Sequence, residues 1–418
     1  MPHAAPSSSS PTAGTAPARP PCRGSGALLA AGSLLVSLLV AEVALRLLHP
    51  LPDPYERFKI EPLVAPNTPY VPSAWPAGYR RAVRAEPGLP GIDTRTRRFS
   101  TNELGFRGGP LAIPKPAGEY RVFVVGGSTT ECLFLDDAES LTARLEVYLR
   151  PLAPGRDVRV YGAAHSGDRS WDHVAMVSQR IAHLQPDLVI VFAGINDLNA
   201  GITGRDYLMR DSGQPLSRRT LAKMVFSESQ LGRLVHAAFD RRDHAVIVSQ
   251  VRRSAARIAA LPVTPFPHRP DPARYGENLA TLAGIARAHG ARFVMMTQAT
   301  TWMGGDPRAR QWFWLGGTRA HHREAALDSA MRAYNAEMMR VGAEQGIPVY
   351  DLYGNIPRTL DNFYDDVHFN ARGADTAARL LATFLAARGT LAPAGPARGA
   401  ADAPAGAPRG SGAASASR

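Results

Sequence analysis

Cysteine is nearly missing: Cys22 and Cys132 are the only two in 418 residues. An apolar segment lies between them, so they are expected on opposite sides of a membrane and do not pair. Stability must then come from an ordinary hydrophobic core rather than a disulfide framework. Clustered metal ligands are missing too. The twelve histidines are scattered, and His321-His322 stands alone, so neither a metal nor a cofactor is called for. The chain has no G-x-G-x-x-G and no G-x-x-x-x-G-K, which argues against dinucleotide and P-loop nucleotide binding. It has no internal repeat. It also has no basic run interleaved with aromatics, although the net charge is +12. The basic residues are almost all arginine and are spread along the chain, which fits a solvated surface and not a nucleic-acid interface. Attraction to anionic headgroups or acidic polysaccharide is the weaker reading of the same charge.

Large apolar side chains are nearly absent from residues 1–25 and 389–418, which are Pro-, Ser-, Ala- and Gly-rich; both are expected to be disordered tails, the first cytoplasmic. Between them the picture changes. Residues 26–48 contain "ALLAAGSLLVSLLVAEVALRLL", long enough to cross a bilayer core as a helix. Its ionisable residues Glu42 and Arg46 are four apart near one end and can pair there. Arg19 and Arg23 precede it, so the positive-inside rule places the N-terminus in the cytoplasm and the rest in the periplasm or outside the cell. No convincing cleavage site follows the apolar run.

Residues 49–117 are rich in Pro and Arg and read as a stalk and domain edge, with "RRFSTNELGFRGG" (97–109) apolar enough to pack on that edge. From residue 118 to 388, short apolar runs at 121–125, 158–164, 187–194, 291–299 and 347–353 alternate with helical patterns at 137–150, 170–184, 275–289 and 322–345. That alternation predicts an α/β domain with a mostly parallel sheet. Residues at about 200–270 break the rhythm as an insertion, and an amphipathic helix closes the domain before Gly389.

Ligands gather at the carboxyl ends of parallel strands. Here those ends carry Gly126-Gly127-Ser128, then "HSGDRSW", then "AGINDL", with "YDDVHFN" ahead of the last helix. Ser128 alone reads as a nucleophile or as a helix N-cap. The two glycines before it permit a sharp turn, and the pattern is not the G-x-S-x-G elbow. Asp365-Asp366-Val367-His368 offers an acid three residues before a histidine, either a surface turn or a base with its orienting carboxylate. Gly167 and Asn196 can supply an amide and a side-chain donor to an oxyanion, or can be plain turn residues.

Taken together and in this order, "GGST" (126–129), "SGDRS" (166–170), "GIND" (194–197) and "DDVH" (365–368) resemble the blocks of the SGNH, or GDSL-like, hydrolase family, over about 120–388. "NELGFRGG" and the apolar helix are similar to membrane-tethered bacterial members. The resemblance implies a flavodoxin-like three-layer α/β/α sandwich. It implies Ser128 as nucleophile, Asp365 and His368 completing the triad, and an oxyanion hole from the Ser128 and Gly167 amides and the Asn196 side chain. The chain departs from the pattern at Gly127, Gly162 and Arg169. None of these removes a required group, though Gly162 is expected to loosen the turn after it and Arg169 to alter the rim of the site.

The resemblance implies an acyl-ester substrate, a glycan or a lipid. Trp302, Trp312 and Trp314 either form a stacking platform for a sugar ring or tuck into the fold. Three functions stand: an esterase, the leading reading, removing an O-acyl, chiefly acetyl, group from an envelope glycan or from a lipid; an O-acyltransferase using the same triad; and a non-catalytic glycan-binding protein, which has no need for a base aligned with a serine.

Overall fold

In the computed structural model, the residues described are 23–51, 74–85, 87–204, 225–235, 238, 260–312 and 322–391. The chain divides into two compact units: Met1–Glu56 with Leu216–Ala238, and Arg57–Pro215 with Phe239–Arg418. The first contains helix α1, Arg23–Leu48, which includes a 21-residue stretch, Leu28–Leu48, long and apolar enough to cross a membrane. Arg46 and Glu42 pair at 2.8 Å on one face of it.

The second unit is a parallel five-stranded sheet with helices. Its strands are β3 (Glu119–Gly126), β4 (Asp157–Ala164), β5 (Leu188–Phe192), β6 (Arg292–Met296) and β7 (Val349–Tyr350), in the order β4-β3-β5-β6-β7. An antiparallel pair, β1 (Arg80–Arg84) with β2 (Thr96–Ser100), precedes it. The helices are α2 (Ser128–Glu131), α3 (Leu141–Leu149), α4 (Ser170–Gln179), α5 (Ile195–Thr203), α6 (Ala273–Ala288), α7 (Glu324–Gln345), α8 (Leu352–Asn355) and α9 (Ala371–Ala387). All five expected strands are present. Val122–Val125 and Leu188–Phe192 are fully buried, as continuous apolar runs must be when both faces of a parallel sheet are covered. The chain passes from β3 to β4 on one side and then to β5 on the other, so the strand order reverses beside the end of β3. That reversal creates a crevice at the carboxyl ends of the strands.

The edge of this fold lies earlier than residue 118. Trp75, Leu89, Ile92, Phe99, Phe106 and Leu111 are buried in the same core as the sheet, and the Phe106 ring meets Phe123 of β3 at 5.2 Å. Periodicity is weak there because these side chains enter the core singly from turns. Asn102 organises one such turn: its Oδ1 accepts from the Leu104 and Phe106 amides and its Nδ2 donates to the Gly109 carbonyl. Arg107, buried, donates to the carbonyls of Glu131, Cys132 and Leu135 and lies over the Phe99 ring at 4.7 Å.

Gly162 does not loosen a turn. It lies inside β4, where its amide and carbonyl bridge to Arg107 at 2.7 and 3.0 Å. The closing helix α9 begins at the expected place, with the Asn370 side chain accepting from the Gly373 amide, and Gly389 follows it at φ +62. Most of the two expected tails and of the 200–270 insertion lie outside the described residues. At the C-terminal end Leu391 is buried, and the Tyr120 hydroxyl donates to the Thr390 carbonyl at 2.6 Å.

Candidate active site

Ser128 is the first residue of α2 and is half-buried. Its Oγ lies 2.8 Å from His368 Nε2, and His368 Nδ1 lies 2.7 Å from Asp365 Oδ2. The other Asp365 oxygen accepts from the Val367 and His368 amides at 2.9 and 2.7 Å, so the carboxylate is fixed by its own turn before it meets the ring. Asp365 therefore faces His368, and Asp366 does not: it accepts from Trp302 Nε1 at 3.1 Å. The Tyr364 ring stacks on the imidazole at 5.4 Å and 7°.

Burial favours the neutral imidazole of His368. The Asp365 charge and hydrogen bond, with help from the charges of Asp366 and Glu131, outweigh that and hold its pKa above the ordinary value. With Asp365 ionised, the neutral ring keeps its proton on Nδ1, leaving Nε2 to accept from the Ser128 hydroxyl.

The glycines before Ser128 are there for closeness and not for an unusual backbone conformation. Gly127 has φ −94, open to any residue, but a Cβ on it would lie 2.6 Å from Asn196 Nδ2 and 3.3 Å from the Asp168 carbonyl. A Cβ on Gly126 would lie 2.7 Å from the Phe192 carbonyl on β5. The glycine pair thus lets the end of β3 close against the loops that follow β4 and β5. Asn196, second residue of α5, donates from Nδ2 to the Asp168 carbonyl at 2.8 Å, leaving its second Nδ2 hydrogen for another acceptor. Gly167 adopts φ +90, a conformation that suits glycine, and is exposed with open space around it.

Five polar residues that sequence reasoning left without a role hold these loops. Glu131, one turn after Ser128 and almost fully buried, accepts from Trp75 Nε1 at 3.0 Å and from the Ser166 hydroxyl. Ser166 directly precedes Gly167. Asp197 is buried and accepts from the Ser170 amide and hydroxyl, and Asn278 Nδ2 donates to that same hydroxyl at 2.9 Å. Ser166, Ser170 and Asp197 stand inside the quoted blocks, so their positions were visible and only their partners were not. Glu131 stands outside every block. At the start of α4 the Asp172 carboxylate accepts from the Arg169 amide at 2.9 Å. Cys132 is buried, which pushes its thiol pKa up and leaves it unreactive.

Of the two readings of the tryptophans, a sugar platform or side chains tucked into the fold, Trp302 takes the second. Trp302 has no exposed surface, because its indole is closed in over Asp366, and Trp314 lies outside the described residues. Trp312 is 7% exposed and lines a cavity of about 500 Å³ with Arg308, Gln311, Asn370 and Arg372, the latter two just beyond His368 in the chain. Among the described residues the exposed tryptophan is Trp171, at 42%, in the first turn of α4 and four residues after Gly167. The quoted stretch "HSGDRSW" contained it without singling it out. Among the described residues no cluster of ligands fit for a metal ion occurs.

No curated protein matches this chain. Similar solved structures include an α/β hydrolase enzyme from the metagenome of Lake Arreo, Spain (18% identity, TM-score 0.39, covering 66% of this chain and 96% of that one). A GDSL-like lipase from Bacteroides thetaiotaomicron (15%, TM-score 0.32, 63% and 86%) and a catalytic mutant of an acetylxylan esterase from Geobacillus stearothermophilus (13%, TM-score 0.36, 64% and 92%) are others. The family description GDSL-like Lipase/Acylhydrolase matches residues 124–321, a span that holds Ser128, Gly167 and Asn196 and stops short of Asp365 and His368. Over that span, just under half of the chain, the protein is similar to the GDSL-like lipase/acylhydrolase family.

Proposed function

We propose that this protein removes an O-acyl group, an acetyl in the first instance, from a glycan ester through an acyl-enzyme on Ser128. The observation that carries the reading is the run of two short contacts, Ser128 Oγ to His368 Nε2 at 2.8 Å and His368 Nδ1 to Asp365 Oδ2 at 2.7 Å. In this mechanism Ser128 Oγ attacks the ester carbonyl while His368 Nε2 takes its proton, and Asp365 stabilises the imidazolium that results. The carbonyl electrons move onto oxygen, where the Ser128 amide at the start of α2, the Gly167 amide and Asn196 Nδ2 are the donors. Collapse returns the proton from His368 to the leaving alcohol. A water then repeats the sequence, with His368 as base again, and releases the acid. Glu131 serves as a positioning residue, since it ties the nucleophile's helix to Ser166 and so to the Gly167 amide.

A glycan is favoured over a lipid by the exposed indole of Trp171, which can stack against the C–H face of a sugar ring. We also assign α1 as a membrane anchor with the hydrolase unit on the non-cytoplasmic side.

The test uses full-length protein in detergent with a fluorophosphonate probe and p-nitrophenyl acetate. Labelling and turnover are expected, and both should vanish in Ser128→Ala. Their absence in folded wild-type protein would sink the reading. Faster hydrolysis of a long-chain than of an acetyl ester would move the substrate to lipids.

A further inference from the structure

α1 ends in a contact its sequence does not announce. Within the first unit, Glu42 accepts from the backbone amides of Gln230 and Leu231 at 2.8 and 2.9 Å, so the anchor's carboxylate caps the helical residues 230–235. Arg46 donates to the Glu228 carbonyl, the Leu51 amide donates to Gln230 Oε1 at 2.7 Å, and Arg233 donates to the Leu51 carbonyl at 2.9 Å. A segment 188 residues further along the chain thus returns to the end of the apolar helix.

The polarity of that segment, "VFSESQLGRLV" (225–235), is inverted. Ser227 and Gln230 are buried, whereas Val225, Phe226, Leu234 and Val235 are 72, 53, 45 and 42% exposed. Water selects the opposite arrangement, and lipid selects this one. The depth agrees. The uncharged run Gly24–Ala41 is about 27 Å long as a helix, close to the hydrocarbon thickness of a bilayer of about 30 Å. That puts Glu42, and whatever binds it, at the boundary between tails and headgroups. A carboxylate there is tolerated only with its charge paired and its oxygens hydrogen-bonded, which Arg46 and the two amides accomplish.

We propose that residues 225–235 are a second membrane-contacting element, docked on α1 through Glu42 and lying in the lipid interface with Phe226 and its apolar neighbours among the acyl chains. This rests on α1 crossing the bilayer, and the test separates the two claims.

Full-length protein carrying Cys22→Ser is reconstituted into phosphatidylethanolamine/phosphatidylglycerol vesicles, with a bimane label on Leu35→Cys, Phe226→Cys or Val147→Cys; Cys132 is buried and stays unlabelled. Quenching by a lipid-borne nitroxide is expected to be strong at 35 and 226 and several-fold weaker at 147, an exposed site on α3. Quenching at 35 with 226 as weak as 147 would overturn the proposal and leave the anchor standing, the apolar face then belonging to a protein partner. Weak quenching at all three sites would overturn both. In Glu42→Ala, the signal at 226 is expected to fall towards that at 147 while 35 holds. An unchanged signal at 226 would show that Glu42 does not dock the segment.

Discussion

The two sides of Ser128 are held by opposite strategies. On the acid–base side, Asp365 and His368 are three residues apart, and one turn fixes both: the same carboxylate takes two of the turn's own amides and the imidazole. On the proposed oxyanion side, the donors we assign come from three different strand ends, and their spacing depends on long-range pairs: Glu131 with Ser166, Asn196 with the Asp168 carbonyl, Asp197 with Ser170. The first side is a local device that travels with a few residues. The second exists only when β3, β4 and β5 are in register.

The sharpest way to break the comparison is at Asp365. Asp365→Asn should lower kcat by on the order of 10³–10⁴-fold, by presenting the wrong tautomer with the turn still formed. If the oxyanion side matters as argued, Asn196→Ala should cost about 10²–10³-fold in kcat. Gly127→Ala removes no donor but sets a methyl 2.6 Å from Asn196 Nδ2, which must shift to make room. A fall of about 10–10²-fold, equivalent to about 1.4–2.7 kcal/mol, is expected with folding intact by circular dichroism.

Glu131→Gln is smaller and more informative: about 10-fold in kcat with KM unchanged. His368 must be neutral to act as base, so activity falls on the acid side through a pKa held above the ordinary imidazole value, and removing the Glu131 charge should shift that limb to lower pH. A pH–rate profile identical to wild type would reduce Glu131 to a structural prop. The mildest effect expected is Trp171→Ala, raising KM for an acetylated glycan while leaving p-nitrophenyl acetate turnover untouched.

This contrast also explains what could be read in advance. The strands were legible because Val122–Val125 and Leu188–Phe192 are unbroken apolar runs, and the Asp365–His368 contact was legible because only three positions separate the two; Ser128, 240 positions before His368, was reached only through the resemblance of the blocks. Asp365 over Asp366 rested on that spacing, and the observed partner of Asp366 is Trp302. Trp302 was left with two readings because a tryptophan at a ligand-bearing strand end looks the same in sequence whether its indole N–H meets a solvent molecule or a buried carboxylate. Glu131 and Trp75 were invisible because 56 residues separate them and neither carries a periodic signal. Gly127 drew attention for the wrong reason, since closeness to a side chain 69 positions away leaves no local mark.

The bridge between Arg107 and Gly162 has one more consequence. Among the described residues β4 is the outermost strand of the sheet, with eight residues and only β3 as a full partner. An edge of that length is a template on which another chain can add a strand. The turn carrying Arg107 bonds both to the amide and to the carbonyl of Gly162, in the middle of that edge, and so interrupts it. A chain shortened to begin at Glu119 would keep the whole sheet and all of Ser128, Asp365 and His368, yet it would present β4 open to solvent. Such a chain is expected to self-associate edge to edge, so the residues ahead of the hydrolase sheet act as its guard against polymerisation.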